Sequence, residues 1–546
     1  IMNRREALKF GGQVAAGTVA SLAYIPNIVS RNSLHSGQNE KFNMSKIDMK
    51  DLKISKPNMK EYNILKYGAV GDGKTLNTQA IQRTIDAAAS SGGGLVVIPE
   101  GRFLSGSISL KTGVTLYLDF NAVLLGSTNP FDYLSGDTLN HFINAENVKN
   151  IGISGKGVID GQGREVALNI VDLYYAGDWE EPNYNYRRNR SNKRPRLLKL
   201  LNCEAILIED ITVKNSATWV LDLERCNQLK IDNVTIDSDA YWNNDGIDIV
   251  DCQNVSITNC NVNSADDGIC LKSHHPDHIN DNIYIANCTV RSSASAIKFG
   301  TRSVGGFKNV KIENIFVYDT YRSAIALESV DGGVLENVEI SNIKANNTGN
   351  AIFIKLGQRN KQDHVVTNEA GKVGTLKNIT IKNMDVQVPF DAPDKKYDIR
   401  GPKLPFFHNV FPGSITGMPG HYVENVTLED INIIYPGRAN KGYAYMPVHR
   451  LDDVPENESS YPEFHMFGEL PCWGLFVRHV KGLSMKNINL QVREYDYRPA
   501  LVFDDVNDLE LKRLRVEDEK ETDSVVLRNV DNLDTDVDKK KIKRVK

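Results

Sequence analysis

Residues 254–259 read Asn-Val-Ser-Ile-Thr-Asn, in which polar and apolar side chains alternate between two asparagines. Such an alternation predicts a short β-strand with one buried face. The pattern recurs, in close or looser copies, at Gln228, Asn282, Asn309, Asn337, Asn378, Asn425 and Gly482. From 228 to 337 the copies are 26, 28, 27 and 28 residues apart, and later intervals widen to 41, 47 and 57. A repeat of this length is typical of a solenoid.

The repeated strands are too short to bury an apolar face alone, so successive copies must stack into one continuous core. Turns rich in Asn, Asp and Gly separate two or three such strands in each repeat, and helical periodicity is almost absent. We therefore predict an all-β chain folded as a right-handed parallel β-helix. The recurrent asparagines suit its turns and stacked amide ladders along its axis.

One helix is predicted near the start, at residues 78–90, where helix formers occur with apolar spacing. We expect this helix to cap the solenoid, because an uncovered end would expose strand edges and core. The solenoid is predicted to form a single domain over residues 59–534. Residues 535–546 are mostly charged and are predicted to be a frayed tail.

The N-terminus has an export-like pattern, since residues 3–9 read Asn-Arg-Arg-Glu-Ala-Leu-Lys and a Gly- and Ala-rich, mildly apolar stretch follows. This resembles a twin-arginine signal, so residues 1–30 are interpreted as an export signal and residues 31–58 as a linker. The alternative is an ordinary amphipathic helix. The signal predicts a periplasmic or extracellular protein.

The composition excludes several classes of function. A net charge of −4 gives no reason to expect nucleic acid as a partner, and no run of 18 apolar residues could span a membrane. The seven cysteines contain no Cys-x-x-Cys pair, so they are interpreted as small buried residues of the coils. We expect neither a metal nor an organic cofactor.

Three aspartates stand about one repeat apart, in the segments Asn-Asn-Asp-Gly-Ile-Asp and Ala-Asp-Asp-Gly-Ile-Cys. Residues one coil apart stack roughly 4.8 Å apart in a parallel β-helix, so Asp245, Asp266 and Asp267 should converge on one face. Crowded carboxylates repel, which raises the pKa of at least one and yields an acid and a base from one residue type. Asp248 and Asp251 are interpreted as turn formers.

Two glycine-rich segments precede the aspartates: residues 67–73 read Tyr-Gly-Ala-Val-Gly-Asp-Gly, and residues 90–94 read Ser-Ser-Gly-Gly-Gly. Together with the aspartate motifs, they make the chain similar to glycoside hydrolase family 28, the polygalacturonase-like family, over about residues 62–530. The resemblance implies an inverting hydrolase on a pectin-lyase-like β-helix, with a cleft along one sheet. It also implies an acidic plant polysaccharide or oligosaccharide as the partner.

The resemblance assigns roles to the aspartates. Asp266 would be the general acid that protonates the glycosidic oxygen, while Asp245 and Asp267 would activate the attacking water. This division suits inversion, which needs a protonated carboxyl and a base on opposite sides of the anomeric carbon. Lys272 lies at the position of the family's lysine and is a candidate substrate ligand.

Two motifs of the family are replaced. Where polygalacturonases have Gly-His-Gly, residues 294–296 read Ala-Ser-Ala, and where they have Arg-Ile-Lys, residues 326–328 read Ala-Leu-Glu. The replaced residues are thought to hold the galacturonate carboxylate, for which Glu328 has the wrong charge. We therefore expect rhamnogalacturonan or its oligosaccharides, rather than homogalacturonan, as the substrate. Lys298 and Arg302 are candidate replacement cations, and pairing of Lys298 with a cleft aspartate is an equal alternative.

Other candidate ligands of the substrate lie in loops. His274 and His275 follow the aspartate motif but match no standard zinc spacing, so sugar binding and a solvated loop are weighed beside a metal. Asn243 precedes the first catalytic candidate. Arg194 belongs to residues 174–196, where aromatic and basic residues interleave; these would stack sugars and attract an acidic polysaccharide, or stack bases beside phosphates.

Two long inserts, residues 164–196 and 436–475, could close the ends of the cleft and favour exo attack. Residues 461–471 in the second insert are predicted to build a cleft wall, with ordinary loop packing as the alternative. Candidate subsite residues in and after this stretch are Glu463, His465, Arg478 and His479.

Two other classes of protein remain open. A polysaccharide lyase or epimerase on the same fold would abstract a proton and would want a Lys or Arg base, often with calcium. A catalytically inactive, glycan-binding solenoid would account for the two replaced motifs, although a pure binder has no need of three clustered carboxylates.

Overall fold

Parallel strands dominate the computed structural model. The residues that the structure describes are 60–359, 372–394, 397, 411–442 and 445–546. All pairings between their strands are parallel except for one short antiparallel pair, Leu134–Ser135 (β8) with Thr138–Leu139 (β9). The prediction of an all-β, right-handed parallel β-helix is confirmed. The predicted export signal and linker, residues 1–58, lie outside the described residues.

Three ladders of stacked strands run along the solenoid. The first ladder begins with Glu61–Asn63 (β1), Gly94–Ile98 (β3), Val114–Leu118 (β6), Lys149–Gly155 (β11), Glu204–Glu209 (β14), Asn227–Asp232 (β17) and Gln253–Thr258 (β20). The second begins with Asp72–Leu76 (β2), Gly101–Ser105 (β4), Ala122–Gly126 (β7), Val158–Asp160 (β12), Thr212–Lys214 (β15), Thr235–Ser238 (β18) and Asn261–Ser264 (β21).

The third ladder carries the candidate site. It contains Ile108–Ser109 (β5), Ile143–Glu146 (β10), Leu198–Leu201 (β13), Leu221–Glu224 (β16), Ile247–Val250 (β19), Ile269–Ser273 (β22), Ile297–Ser303 (β24), Gly413–Thr416 (β28) and Ile542–Arg544 (β33). Longer strands connect the ladders in the later coils: Asn280–Ser292 (β23), Gly306–Ser329 (β25), Val334–Leu356 (β26), Thr375–Gln387 (β27), Val423–Tyr435 (β29), Leu475–Val492 (β30), Leu501–Glu517 (β31) and Val525–Thr535 (β32).

The core lies inside the coils, where inward side chains stack in register. Ile247, Ile269, Ile297 and Ile325 are aligned in successive coils of the third ladder, and all four are fully buried. Because side chains alternate across a strand, the residues beside them point outward from the same ladder. The alternation seen in the sequence thus places one face in the core and the other on the surface.

The recurrent asparagines lie near the starts of strands and adopt a left-handed backbone conformation. Asn254 has φ 56°, Asn282 has φ 59° and Asn309 has φ 53°. Asparagine tolerates this region because its short side chain can hydrogen-bond locally. Nδ2 of Asn282 donates to Oδ1 of Asn254 at 2.7 Å, and Nδ2 of Asn337 donates to Oδ1 of Asn309 at 3.2 Å. The predicted amide ladder is confirmed.

The first helix, Thr78–Ser90 (α1), has the predicted bounds and buries Ile81 and Ile85 against the first strands. A second helix, Gly163–Ala176 (α2), was not predicted. Val166 and Ile170 are buried on its inner face at helical spacing, so the signal was present but was hidden inside an insert. Short 3-10 turns span Ile64–Tyr67, Pro130–Tyr133, Leu451–Asp453 and Lys539–Lys541.

The charged C-terminus continues the solenoid. Ile542–Arg544 pairs in parallel with Val525–Thr535, so the prediction of a frayed tail is wrong for these residues. The second insert covers the outer face of the third ladder in its later coils. There it forms an apolar cluster with outward side chains of the ladder. The insert contributes Leu451, Val454, Phe464, Phe467 and Leu470, and the ladder contributes Phe353, Phe476 and Val502.

Candidate active site

The outer face of the third ladder places charged side chains in a row. Asp222, Asp248, Cys270 and Lys298 occupy one outward position in four successive coils, and each is at most 1% exposed. Charges at this depth need partners, and their partners define the site. Asp248 lies in strand β19 rather than in a turn, so its interpretation as a turn former is wrong.

The three candidate aspartates lie in the turns just before strands β19 and β22. A carboxylate oxygen of each lies within 4.8 Å of the others, as the repeat spacing predicted. Two glycines allow this approach, since a Cβ on Gly246 would lie 2.6 Å from the carbonyl oxygen of Gly268. The Asp-Gly pairs therefore let neighbouring coils lie close enough for the carboxyls to meet.

Lys272 links two of the buried carboxyls. Its Nζ lies 2.9 Å from Oδ2 of Asp245 and also forms an ion pair with Asp248. Burial lowers the pKa of Lys272, but these two carboxylates outweigh burial and raise it well above its ordinary value. Burial raises the pKa of Asp245 and, to about 7, that of Asp248, against the pull of Lys272. Because one cation is shared by two carboxyls, one of these carboxyls can hold a proton near neutral pH.

Lys298 holds the third carboxyl from the next coil. Its Nζ lies 3.2 Å from Oδ2 of Asp267, so the predicted alternative of an ion pair with a cleft aspartate describes the structure. Burial opposes the charge of Asp267, but Lys298 and Lys272 lower its pKa below the ordinary value. Glu328 is 1% exposed, and its Oε2 has no hydrogen-bond partner. Burial raises the pKa of Glu328 to about 8.

Asp266 differs from its two neighbours. It is half-buried, whereas Asp245 and Asp267 are each 4% exposed. Among the described residues, no basic side chain forms an ion pair with it. Hydroxyls of Ser264 and Ser292 donate to its backbone carbonyl at 2.8 and 2.6 Å, which fixes the turn. Its carboxyl is thus the accessible member of the group; among the described residues it forms no ion pair, and Arg322 interacts with it electrostatically at longer range.

Arg194 and Asn243 lie against the turn that carries Asp266. Arg194 is 5% exposed, and its Nη1 donates to the carbonyl oxygens of Ala217 and Trp242 at 2.6 and 2.7 Å. Its Nη2 donates to Oδ1 of Asn243 at 3.1 Å, and Nδ2 of Asn243 lies 3.4 Å from Oδ2 of Asp266. Burial lowers the pKa of Arg194 to about 9. Both Nη atoms of Arg194 therefore donate to groups of the protein itself.

The predicted histidines lie at the far end of strand β22 from the aspartate turn. The backbone N–H groups of His274 and His275 donate to Asp251 at 3.0 and 3.2 Å, and Asp251 has φ 53°, which confirms its interpretation as a turn residue. Nε2 of His275 lies 3.5 Å from Glu224. Arg302 is half-buried on strand β24. Among the described side chains, the group with metal-ligand spacing is the three aspartates, without these histidines.

A wall on the C-terminal side of the aspartates was only partly foreseen. Arg322 lies 2.6 Å from Glu463 of the second insert, and Tyr461 of the same insert has its ring centroid 5.5 Å from Nζ of Lys298. Sequence reasoning missed Arg322, although it stands at the same repeat position as Asp266, three residues before an inward isoleucine of the ladder.

The other candidate subsite residues, His465, Arg478 and His479, have partners of their own. His465 packs against the ring of Phe464, at 5.2 Å between centroids. Arg478 and His479 are tied to Asp504 and Asp505 at 2.8 and 2.6 Å, several coils further along.

An aromatic side chain, also missed, adjoins the aspartates on the N-terminal side. The ring centroid of Trp219 lies 4.4 Å from Nζ of Lys272 and 4.9 Å from the guanidinium of Arg196. The tyrosines of the first insert instead stack on one another, with Tyr174 and Tyr184 centroids 4.0 Å apart. No helix among the described residues has the length and apolarity needed to cross a membrane.

Comparisons with known proteins agree with this geometry. An exo-poly-alpha-D-galacturonosidase of Dickeya chrysanthemi is 27% identical over 376 residues, which cover 60% of this chain and 62% of that protein. A probable polygalacturonase of Vitis vinifera is 26% identical over 343 residues, 60% of each chain. The present chain thus spans about 60% of the length of these relatives.

The structure of a family 28 exopolygalacturonase from Yersinia enterocolitica aligns with a TM-score of 0.60 at 21% identity, over 88% of this chain and 79% of that one, which shows a shared fold. The sequence pattern of glycosyl hydrolases family 28 matches residues 92–396, more than half of the chain, and this match contains all three aspartates. The chain therefore belongs to glycosyl hydrolases family 28.

Proposed function

We propose that this chain is a glycoside hydrolase that cleaves a glycosidic bond of a pectin-type acidic polysaccharide with inversion. The observation that carries the proposal is the convergence of Asp245, Asp266 and Asp267 within 4.8 Å of one another. Carboxyls in such a group differ in their readiness to hold a proton, which supplies an acid and a base. The names of the relatives, a galacturonosidase and a polygalacturonase, support the same substrate class.

Asp266 is the proposed general acid. Lys272 and Lys298 pair with Asp245 and Asp267, which favours their carboxylate forms. Among the described residues Asp266 forms no such ion pair, and it is the most exposed of the three, so it can reach a glycosidic oxygen. The raised pKa of Asp245 makes that residue the rival for the acid role.

Inversion is proposed from the family and from the two ion-paired carboxylates. Inverting enzymes usually separate two carboxyl groups by about 6.5–9.5 Å and retaining enzymes by about 5–5.5 Å. Carboxylate oxygens no more than 4.8 Å apart would by themselves favour retention. However, three carboxyls are present, and the pair Asp245 and Asp267 can hold a water between them while Asp266 acts as acid. The anomer released first, followed by proton NMR, decides between the two outcomes.

Exo action is proposed from the wall on the C-terminal side of the aspartates. Tyr461 and Glu463 lie against Lys298 and Arg322, so few sugar units fit beyond the reacting bond on that side. The printed names of the Dickeya and Yersinia proteins, both exo-acting, favour the same mode. An exo enzyme releases a single small product from the first turnovers, whereas an endo enzyme releases a ladder of oligosaccharides.

The preference for rhamnogalacturonan over homogalacturonan rests on Glu328. This buried acid replaces the lysine of the family motif, and Lys298 beside it is committed to Asp267. The names of the relatives favour homogalacturonan instead. Assays of equal masses of both polymers with the same enzyme distinguish the two substrate preferences. We expect a higher kcat/KM on rhamnogalacturonan oligosaccharides.

Lyase or epimerase chemistry is the alternative that the geometry disfavours. Such an enzyme needs a basic side chain that is neutral when it abstracts the proton. Lys272 and Lys298 are ion-paired, and neighbouring carboxylates raise both pKa values well above the ordinary value against burial. Ultraviolet absorbance of an unsaturated product would reveal a lyase.

The test of the proposed function is product analysis on purified protein beside Asp266→Asn and Asp245→Asn. We expect release of reducing sugar that Asp266→Asn abolishes, while Asp160→Asn, remote from the site, leaves it intact. Turnover by Asp266→Asn equal to that of the parent would remove the proposed acid. Export through the predicted signal is a separate proposal, tested by cell fractionation of the chain with Arg4 and Arg5 replaced by lysine.

A further inference from the structure

A basic pocket lies directly beside the aspartates on their N-terminal side. It has a volume of about 380 Å³. Its lining residues are Leu139, His141, Arg190, Asn192, Lys193, Arg194, Arg196, Thr218, Trp219 and Asn243. Four of these are cationic and none is a carboxylic acid, so the pocket suits an anion. All four cations belong to the first insert, residues 164–196.

Arg190 has more unused hydrogen-bonding capacity than Arg194, the other buried arginine of this pocket. Arg190 makes fewer contacts of its own. It is 8% exposed, and its Nη1 donates to Asn192 at 2.6 Å. Among the described residues the buried Nε of Arg190 has no hydrogen-bond partner, and the same holds for Nε of Arg194. A buried donor without a partner costs free energy, on the order of 1–3 kcal/mol, which a ligand oxygen would recover. Burial and the nearby Arg188 lower the pKa of Arg190, as expected of a cation that lacks a bound anion.

The opposite side of the pocket offers a second cation and an aromatic face. Arg196 lies with its guanidinium 4.9 Å from the Trp219 ring centroid, and its Nε is 2.9 Å from Asp222. Asp222 is also held by Lys199 at 2.9 Å. The indole offers a flat apolar surface to a sugar ring, and the planar guanidinium beside it offers a charge to a carboxylate on that ring.

The pocket is continuous with the reacting groups. Asn243 lines it and donates towards Asp266 at 3.4 Å, while Trp219 lines it and contacts Lys272. A group held in the pocket would therefore lie next to the groups that surround the proposed scissile bond.

We propose that this pocket binds a uronate residue of the substrate adjacent to the scissile bond, with Arg190 and Arg196 on its carboxylate and Trp219 against its ring. The inference rests on the proposed hydrolase function and extends it, because it names the feature of the substrate that this insert recognises. A methyl-esterified uronate has no charge to offer these cations and binds weakly.

The test is calorimetry on the full chain carrying Asp266→Asn, with trigalacturonate and its fully methyl-esterified form as probes. Arg190→Gln and Arg196→Gln should each weaken trigalacturonate binding about tenfold or more, as for loss of a charge-assisted pair, and change ester binding less than about twofold. Arg187→Gln, an exposed arginine outside the pocket, is the matched control and should change neither. Inorganic phosphate is the second probe, and phosphate binding that exceeds trigalacturonate binding would overturn the uronate assignment.

The outcome separates this inference from the proposed function. If the parent enzyme turns over a pectic substrate but both pocket variants keep full affinity and full acid-over-ester preference, the pocket assignment is wrong and the hydrolase stands. If no pectic substrate is turned over but the pocket variants lose trigalacturonate, the pocket stands and the hydrolase does not. Arg196→Gln keeps the result interpretable if Arg190→Gln melts early, because Asp222 retains Lys199.

Discussion

Arg194 donates a hydrogen bond from Nη2 to Oδ1 of Asn243 at 3.1 Å, which turns the amide so that Nδ2 points to Asp266. The guanidinium is buried under the turn and also binds two backbone carbonyls of neighbouring coils. A residue of the first insert thereby fixes a side chain beside the proposed acid without itself reaching it. We infer that Arg194 is a positioning residue.

Arg194→Lys should lower kcat about tenfold or more while KM changes less than about threefold, because lysine keeps the charge but not the planar fork. Asn243→Ala should act in the same direction. If the two act through one amide, the double variant should be no slower than Arg194→Lys alone. Steady-state kinetics of the three variants checks this, with Arg187→Lys as control. Additive losses in the double variant would contradict the shared route.

Lys298→Met should move the acidic limb of the pH–rate profile to higher pH. Lys298 helps to lower the pKa of Asp267, against burial, so its removal raises that pKa and the carboxylate is lost at a higher pH. At neutral pH we expect activity to fall about tenfold or more, as for an impaired base. The control is Lys311→Met, which removes a partly exposed lysine paired to Glu313 at 3.0 Å. An unshifted limb would show that Asp267 does not titrate in catalysis.

The fold could be predicted because its signal is local and repeated. Each coil repeats the alternation seen at residues 254–259, and its asparagine needs the same backbone conformation. All copies therefore support the same prediction. The second helix was missed because it occurs once, within an insert, and has no copy elsewhere in the chain.

The centre of the site could be predicted because Asp245 and Asp266 stand one repeat apart. Its surroundings could not, because they depend on which inserts fold back onto the ladder. Glu463 lies 141 positions from its partner Arg322 in the sequence, and no periodicity connects them. Arg194 was foreseen as a substrate ligand from its basic neighbourhood, but composition does not reveal that backbone carbonyls would occupy its donors.

Glu328→Gln should flatten the pH dependence of stability. Burial raises the pKa of Glu328 from 4.5 to about 8, so between these values the folded state binds a proton that the unfolded state has lost. Stability of the parent therefore falls as pH rises through this window, by a few kcal/mol at most. The glutamine variant should gain stability relative to the parent at pH 9 and not at pH 4. Urea unfolding across pH checks this, with Glu424→Gln, an exposed acid, as control; parallel curves would contradict it.

Glu463→Gln and Arg322→Gln should each destabilise the chain by about 3 kcal/mol, because either change leaves a mostly buried charge without its partner. The side chains are 11% and 19% exposed, and their contact at 2.6 Å is an ion pair rather than an aligned hydrogen bond. The double variant should lose less than the sum, which a double-mutant cycle measures. The more exposed pair Lys308 and Glu336, at 2.8 Å and with side chains 37% and 16% exposed, should show coupling below about 1 kcal/mol.

The same ion pair fixes the wall, so loosening it should also change the products. Glu463→Gln should release longer oligosaccharides beside the single small product, which product chromatography resolves. An unchanged product pattern together with lost stability would mean that the wall does not determine exo action.

The turn asparagines should separate two contributions to solenoid stability. Asn282 has φ 59°, and its Nδ2 donates to Asn254 at 2.7 Å. Alanine loses the hydrogen bond between the amides and also the local hydrogen bonding by which asparagine tolerates the left-handed region, which together cost about 2–3 kcal/mol. Glycine loses only the bond, so Asn282→Gly should lie between the parent and Asn282→Ala in urea midpoint.

Asn261→Ala is the control for this series, since Asn261 is exposed at the start of a strand. We expect its midpoint to match the parent, because no turn conformation is involved. Equal losses for Asn282→Gly and Asn282→Ala would assign the whole effect to the amide ladder. A glycine variant as stable as the parent would instead assign it to the backbone conformation, and the stacked amides would then be a consequence of the turn rather than a cause of its stability.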